Sequence, residues 1–261
     1  MTTNGAQGAG GGEPMTVAIV LDKSGSMEPL REPVVEAYNA FLHELRDDGG
    51  ELRVSLTQFD SDFDHVYTAQ PLASVPALGW DDYRPGGMTA LYDAVAHTAI
   101  ETERRLAAEG RAGEKVLVAV ITDGEENSSS DYDAVRLARL VSRYEDELGN
   151  WTFVYLGAAH ATLADATGAA SRIGFKSGNA MRWQPTEASA RATMAALADG
   201  AKARRRSAAP MSERFFADAG QSEADYLADT PDEQPVPPKQ PPRGPRTFEQ
   251  RLLRERLGPR R

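Results

Sequence analysis

MTVAIVLDKSGS, residues 15–26, carries an apolar run straight into a cluster of side-chain oxygens. Met15 to Leu21 is continuously apolar and rich in β-branched residues, the composition of a strand buried on both faces, as in a parallel sheet. It stops abruptly at Asp22, and the next residues, Lys23-Ser24-Gly25-Ser26, suit a loop that leaves a sheet edge. A second run of the same kind, KVLVAVIT at 115–122, also ends in an acid, Asp123.

Working outward from these two strands, the chain alternates periods of two and of 3.6. Apolar residues at helical spacing, Leu30, Val34, Ala37, Tyr38, Phe41, Leu42 and Leu45, predict a helix over about 28–46, with Pro29 tolerable in its first turn. Residues 51–59 and 63–69 read as a hairpin around Asp60-Ser61-Asp62, the second arm being an antiparallel edge strand. Further helices are expected at about 90–108, 132–148, 161–169 and 186–202, and further strands at 151–156 and 172–175. This alternation predicts an α/β fold: a doubly wound, mostly parallel six-stranded sheet with one antiparallel edge strand and helices on both faces.

Composition bounds what such a chain can do. Residues 1–14 are Gly-rich and nearly devoid of apolar side chains, so they read as a flexible leader to a domain over 15–203. From 204 to 261 a basic cluster, Arg204-Arg205-Arg206, leads into the Pro-rich TPDEQPVPPKQPPRGPR and a short basic amphipathic segment. That stretch is expected to be a largely disordered tail with a short terminal helix. Residues 1–200 hold 16 Lys/Arg against 30 Asp/Glu, an acidic body that repels phosphate backbones and argues against nucleic acid as its partner. No run approaches the roughly 20 apolar residues of a membrane span, and no signal-peptide pattern is present. With no cysteine, thiolate metal sites and thiol nucleophiles are excluded, and a cytoplasmic location is expected.

Asp22, Ser24 and Ser26 form a D-x-S-x-S motif where ligands bind in open α/β sheets, at the carboxyl ends of strands near the point where strand order reverses. Hydroxyls and carboxylates are hard donors that suit magnesium, manganese or calcium rather than zinc or copper. Two neutral hydroxyls would leave such an ion incompletely neutralised and open to an acidic group from outside. Alone, the motif could equally be a Ser/Asp turn capping the following helix.

Three segments together resemble those of von Willebrand factor A domains: Asp22-Lys23-Ser24-Gly25-Ser26 after an apolar strand, Gly86-Gly87-Met88-Thr89-Ala90 opening a helix, and Ile121-Thr122-Asp123-Gly124 ending a later strand. The resemblance covers about residues 15–180 and is strongest to intracellular bacterial members. It implies a metal-ion-dependent adhesion site holding one divalent cation, magnesium before manganese or calcium. Ser24 and Ser26 would then ligate the ion directly, and Asp22, Asp123 and Thr89 directly or through water. The function implied is a non-enzymatic protein-binding module whose cation accepts an Asp or Glu carboxylate of a partner protein.

Other features are weighed against this. Gly86-Gly87 lacks the Lys-Ser/Thr of a phosphate loop. Asp123, Glu125 and Glu126 could hold a second cation or form a solvated loop. Asp60, Asp62 and Asp64 lack the glycine and distant glutamate of a calcium loop, and His43, His65, His97 and His160 have no ligand spacing. Two alternatives stand beside the binding module. One is a metal-dependent hydrolase or phosphotransferase, for which the second Asp of a phosphorylated-aspartate motif is missing at Ser24. The other is a tethering or scaffold role carried by the tail.

Overall fold

The computed structural model describes residues 12–124, 126–158, 163–184, 186–207 and 214–218. By contacts the chain divides into two units, 1–230 and 231–261. The second unit, with the Pro-rich segment and the expected terminal helix, lies outside the described residues, as do residues 1–11 of the expected leader and His160.

Six strands form one sheet in the order β3-β2-β1-β4-β5-β6. These are β1 (Met15–Asp22), β2 (Leu52–Phe59), β3 (Phe63–Pro71), β4 (Lys115–Thr122), β5 (Trp151–Ala158) and β6 (Ala180–Trp183). All pairs are parallel except β2 with β3. β1 lies between β2 and β4, so the direction of winding reverses at β1 and β4, whose carboxyl ends open the switch-point crevice.

Side-chain alternation sorts β1 between two cores. Met15, Val17, Ile19 and Leu21 pack with α1 (Arg31–Asp47) and α5 (Glu187–Arg206), whereas Ala18 and Val20 pack with α2 (Leu91–Ala108) and α3 (Ala134–Ser142). The apolar stripe expected of α1 is the one buried, including Phe41 and Leu42. Truncating a side chain such as Phe41 to Ala would cost about 3–5 kcal/mol. The edge strand β3 is largely exposed and its pairing with β2 is interrupted by register shifts beside Ser55, whose hydroxyl accepts the Ala69 N–H at 2.8 Å. Ala69 has φ 47°, and the bulge breaks the flat edge that would otherwise invite pairing with another chain.

The expected strand at 172–175 is not one. α4 (Leu163–Arg172) ends there, the N–H groups of Gly174 and Phe175 donating back to Ser171 and Ala170 carbonyls at 3.1 Å. Gly174 has φ +86°, and a Cβ on it would lie 2.9 Å from Ala138 Cα. Ile173 and Phe175 are buried on either side of this left-handed helix cap, which gives the sequence the alternation of a strand without its backbone. The sixth strand is instead Ala180–Trp183, in register with Tyr155–Ala158.

Two other elements depart from expectation in detail. The helix expected over 132–148 is α3 followed by a single π-helical segment, Arg143–Leu148. α5 runs on through Arg204-Arg205-Arg206, the triplet at which the sequence reading starts the tail. Arg205 is buried, donating to Asp48 Oδ2 and to the Gly49 carbonyl at 2.5 Å each. Beyond it a short helix, α6 (Phe215–Asp218), lays Phe215 over Gly200 of α5. No helix among the described residues is long and apolar enough to cross a membrane.

Candidate metal centre

Three loops at the carboxyl ends of β1 and β4 and at the amino end of α2 bring the five expected ligands together. Asp22, the last residue of β1, is fully buried. One carboxylate oxygen accepts the Ser24 N–H at 2.7 Å and the other accepts the Thr122 hydroxyl at 2.5 Å. Ser24 Oγ lies 3.2 Å from Ser26 Oγ, and Ser26 Oγ donates to Asp123 Oδ1 at 2.7 Å. Thr89 joins them across Gly124, where a Cβ would sit 3.5 Å from Thr89 Oγ1, 3.6 Å from Ser26 Oγ and 3.9 Å from Asp22 Oδ2. Oxygens of the β1 and α2 loops thus border one small space beside Gly124 of the third loop, with Asp123 joined to it through Ser26.

The surrounding chain explains why they converge. The Gly86-Gly87 turn is held to the first loop by Gly86 N–H to the Lys23 carbonyl at 2.7 Å and by Gly25 N–H to the Gly87 carbonyl at 3.2 Å. Gly87 has φ +74° and approaches Ser61 so closely that a Cβ would lie 2.9 Å from its hydroxyl, so glycine is required there twice over. The Asp60–Asp64 stretch is the expected hairpin turn; Lys23 Nζ reaches Asp60 at 3.1 Å and Asp64 at 3.7 Å. Thr89 is set by Asn127, whose side-chain oxygen accepts its N–H at 2.9 Å and whose N–H donates to its carbonyl at 3.0 Å.

Burial pushes the Asp22 carboxyl up to about 6, against the opposing hydrogen bonds from Thr122 and Ser24 and with a further upward push from the Asp123 charge. Tyr83, which donates to the Asp22 carbonyl at 2.5 Å, is held well above the ordinary tyrosine range by burial and by the nearby Asp22. The donors are three hydroxyls and two carboxylates, a hard-oxygen set suited to magnesium, manganese or calcium. Among the described residues no three His, Asp or Glu side chains cluster as a metal site. Burial grades from Asp22, Ser24 and Thr89, which are covered, to Ser26, which is exposed. The space over Gly124 and the donor chemistry fit a divalent ion with one side turned outward.

Sequence reasoning missed the residues that hold these ligands: Thr122, Tyr83 and Asn127. Of these only Thr122 stands in a quoted motif, Ile121-Thr122-Asp123-Gly124, where it was given no role of its own. Glu126, considered for a second cation, instead accepts the Tyr92 N–H at 3.0 Å, the Ser128 and Ser129 N–H groups at 2.7 and 2.6 Å, and the Ser129 hydroxyl at 2.6 Å. It organises the loop after β4; its neighbour Glu125 lies outside the described residues. His97 stacks on Phe63 at 4.8 Å and contacts Asp131 at 3.1 Å, while His65 contacts Thr57 at 2.9 Å, so both are engaged away from the centre. His43 lies 3.4 Å from Asp47 on an exposed face of α1.

Solved structures share this doubly wound architecture, and they give the fold as that of von Willebrand factor A domains. The von Willebrand factor domain of the type V pili tip protein Mfa5 from Porphyromonas gingivalis matches with a TM-score of 0.53 at 10% identity, over 76% of this chain and 98% of that one. Proximal thread matrix protein 1 from the mussel byssus matches with a TM-score of 0.52 at 16% identity, over 73% of this chain and 49% of that one. The chain spans about half the length of the thread matrix protein. No model of a protein family and no curated protein matches.

Proposed function

We propose that the domain is a protein-binding module that holds one divalent cation, magnesium first, through Asp22, Ser24, Ser26, Thr89 and Asp123, and presents it to an Asp or Glu carboxylate of a partner protein. The observation that carries this reading is the shared space over Gly124, bordered by Thr89, Ser26 and Asp22 oxygens within 4 Å. Bound there, the cation supplies positive charge to a rim that is otherwise acidic. Asp22 and Asp123 hold it electrostatically, the Ser24, Ser26 and Thr89 hydroxyls orient it, and the exposed Ser26 side leaves a face for the partner. Asp22 would be ionised by the cation, which offsets the burial that otherwise favours its proton.

Binding without chemistry is the better reading, because both Asp22 oxygens are engaged by Ser24 and Thr122 and so are poorly placed to act as nucleophile or general base. A chain without cysteine also suits a cytoplasmic setting. The test is calorimetric titration with Mg2+, followed by partner capture in Mg2+ and in chelator, for wild type, Asp22→Ala and Ser24→Ala. Metal uptake and capture that vanish together in chelator and in both variants are expected. Capture that survives chelator and Asp22→Ala would refute the reading.

A further inference from the structure

Beside the metal centre lies a second concavity. A cavity of about 100 Å³ opens between the first turn of α2, the loop after β4, β5 and the last turn of α4, bordered by Tyr92, Gly124, Glu126, Tyr155, Arg172 and Ile173. Gly124 belongs to both places: it faces the oxygens of Thr89, Ser26 and Asp22 and also lines this cavity. A peptide whose carboxylate reaches the cation therefore has room for a neighbouring side chain next to it. The volume is that of one side chain rather than of a small-molecule cofactor.

Arg172 decides the chemistry. It is exposed, and its one hydrogen bond runs from Nε to the Gly168 carbonyl at 3.3 Å, leaving both terminal amino groups without a partner among the described residues. The other cations around the metal loops are engaged. Lys23 pairs with Asp60 and Asp64, Arg31 stacks on Trp80 at 4.0 Å and donates to its carbonyl, and Arg84 pairs with Asp81. Glu126, the acid in the lining, has its carboxylate tied by four donors of its own loop and of α2. A guanidinium with two free amino groups is shaped for bidentate pairing with a carboxylate.

We infer that this cavity is a second subsite that takes another carboxylate of the same partner, so that the domain selects a segment with two nearby acidic residues, one for the cation and one for Arg172. The inference rests on the metal reading above. A second anchor would also explain how an acidic domain discriminates among acidic partners, since a lone cation accepts any carboxylate.

The test uses blocked tripeptides as probes: acetyl-Asp-Ala-Ala-amide, acetyl-Asp-Asp-Ala-amide and acetyl-Asp-Ala-Asp-amide, titrated calorimetrically into the Mg2+-loaded full chain and its variants, with the NMR signal of the Arg172 Nε–H followed in the wild type. A diacidic peptide should bind about fivefold more tightly than the monoacidic one, the scale of a partly exposed ion pair. Arg172→Gln should abolish that preference and Arg172→Glu should reverse it, with Mg2+ affinity and melting temperature unchanged in both. Equal binding of all three peptides to the Mg2+-loaded wild type, or a diacid preference that persists in Arg172→Gln, overturns the subsite alone. Failure of the wild type to take up Mg2+ overturns the metal reading and the subsite together.

Discussion

Replacing Asp22 by Asn should stabilise the metal-free protein at neutral pH while removing its response to Mg2+. Burial raises the Asp22 carboxyl from 3.8 to about 6 despite the hydrogen bonds from Thr122 and Ser24. At 1.36 kcal/mol per pH unit, that rise of roughly two units corresponds to a penalty of about 3 kcal/mol for holding the carboxylate ionised with no cation beside it. Below pH 3.8 Asp22 is protonated in both folded and unfolded chains, and no penalty exists. Between 3.8 and about 6 the unfolded chain releases its proton while the folded chain keeps it, so metal-free stability falls as the pH rises. Above about 6 the whole penalty is in place. The substitution preserves the local hydrogen bonds, since an amide oxygen can still accept the Ser24 N–H and the amide nitrogen can donate to the Thr122 hydroxyl. Urea unfolding in chelator at pH 7.5 should show the variant more stable than wild type by about 1–3 kcal/mol, the difference shrinking as the pH approaches that of an ordinary aspartate. In Mg2+ at a hundred times its dissociation constant, wild type should gain about 2.7 kcal/mol and the variant nothing. A variant less stable than wild type in chelator, together with a wild type indifferent to Mg2+, would sink the reasoning.

Three further substitutions probe the parts separately. Gly124→Ala places its Cβ in ordinary contact with Thr89, Ser26 and Asp22 oxygens, so the chain should fold with little change in stability yet lose Mg2+ affinity by roughly tenfold, about 1.4 kcal/mol, in calorimetry. Unchanged affinity would locate the ion elsewhere. Thr122→Val removes the hydroxyl that donates to Asp22 Oδ2, which should cost about 1–3 kcal/mol of stability in Mg2+ and raise the Asp22 carboxyl further. Comparing Mg2+ uptake at pH 6 and 8 should then show a steeper pH dependence than in wild type, and an unaltered profile would count against Asp22 as the titrating ligand. Gly200→Ala puts a Cβ 2.2 Å from the Phe215 ring, an overlap that should cost about 1–3 kcal/mol and expel α6. Hydrogen exchange should then rise at Phe215 and Phe216 while Mg2+ uptake stays as in wild type.

How legible the molecule was in its sequence depended on how local each determinant is. β1 and β4 could be read because a strand buried on both faces must be apolar at every position, and α1 because its stripe repeats every 3.6 residues. The error at 172–175 has the same origin: Ile173 and Phe175 are buried on alternate sides of Gly174, and period alone cannot distinguish a strand from a left-handed helix cap. Gly174 was the discriminating signal. Arg205 misled in the opposite direction, since a basic triplet reads as solvated until Asp48, at the end of α1 and 157 residues away in sequence, is brought beside it. The metal loops were visible as motifs, but Tyr83 and Asn127 act on ligands through the backbone, and that leaves no spacing to find.

The centre's stability and its proposed function pull on the same atoms. Asp22 sits at the end of a fully buried strand, where a carboxylate is costly, and the hydrogen bonds from Thr122 and Ser24 offset only part of that cost. Replacing Asp22 with an apolar residue would relieve the strain and discard the ligand. Keeping an acid there leaves the metal-free domain less stable than its fold allows, and the deficit is recovered when a cation neutralises the carboxylate. A cation bound as proposed would touch all three loops at once, because Ser26 links the first to Asp123 and Thr89, Ser26 and Asp22 oxygens face Gly124. An acidic partner meeting the domain without an ion would encounter the Asp22 and Asp123 carboxylates; with an ion bound it would encounter a cation able to accept its own carboxylate. In the proposed function the metal would therefore supply the short-range attraction that an acidic partner needs against an acidic body.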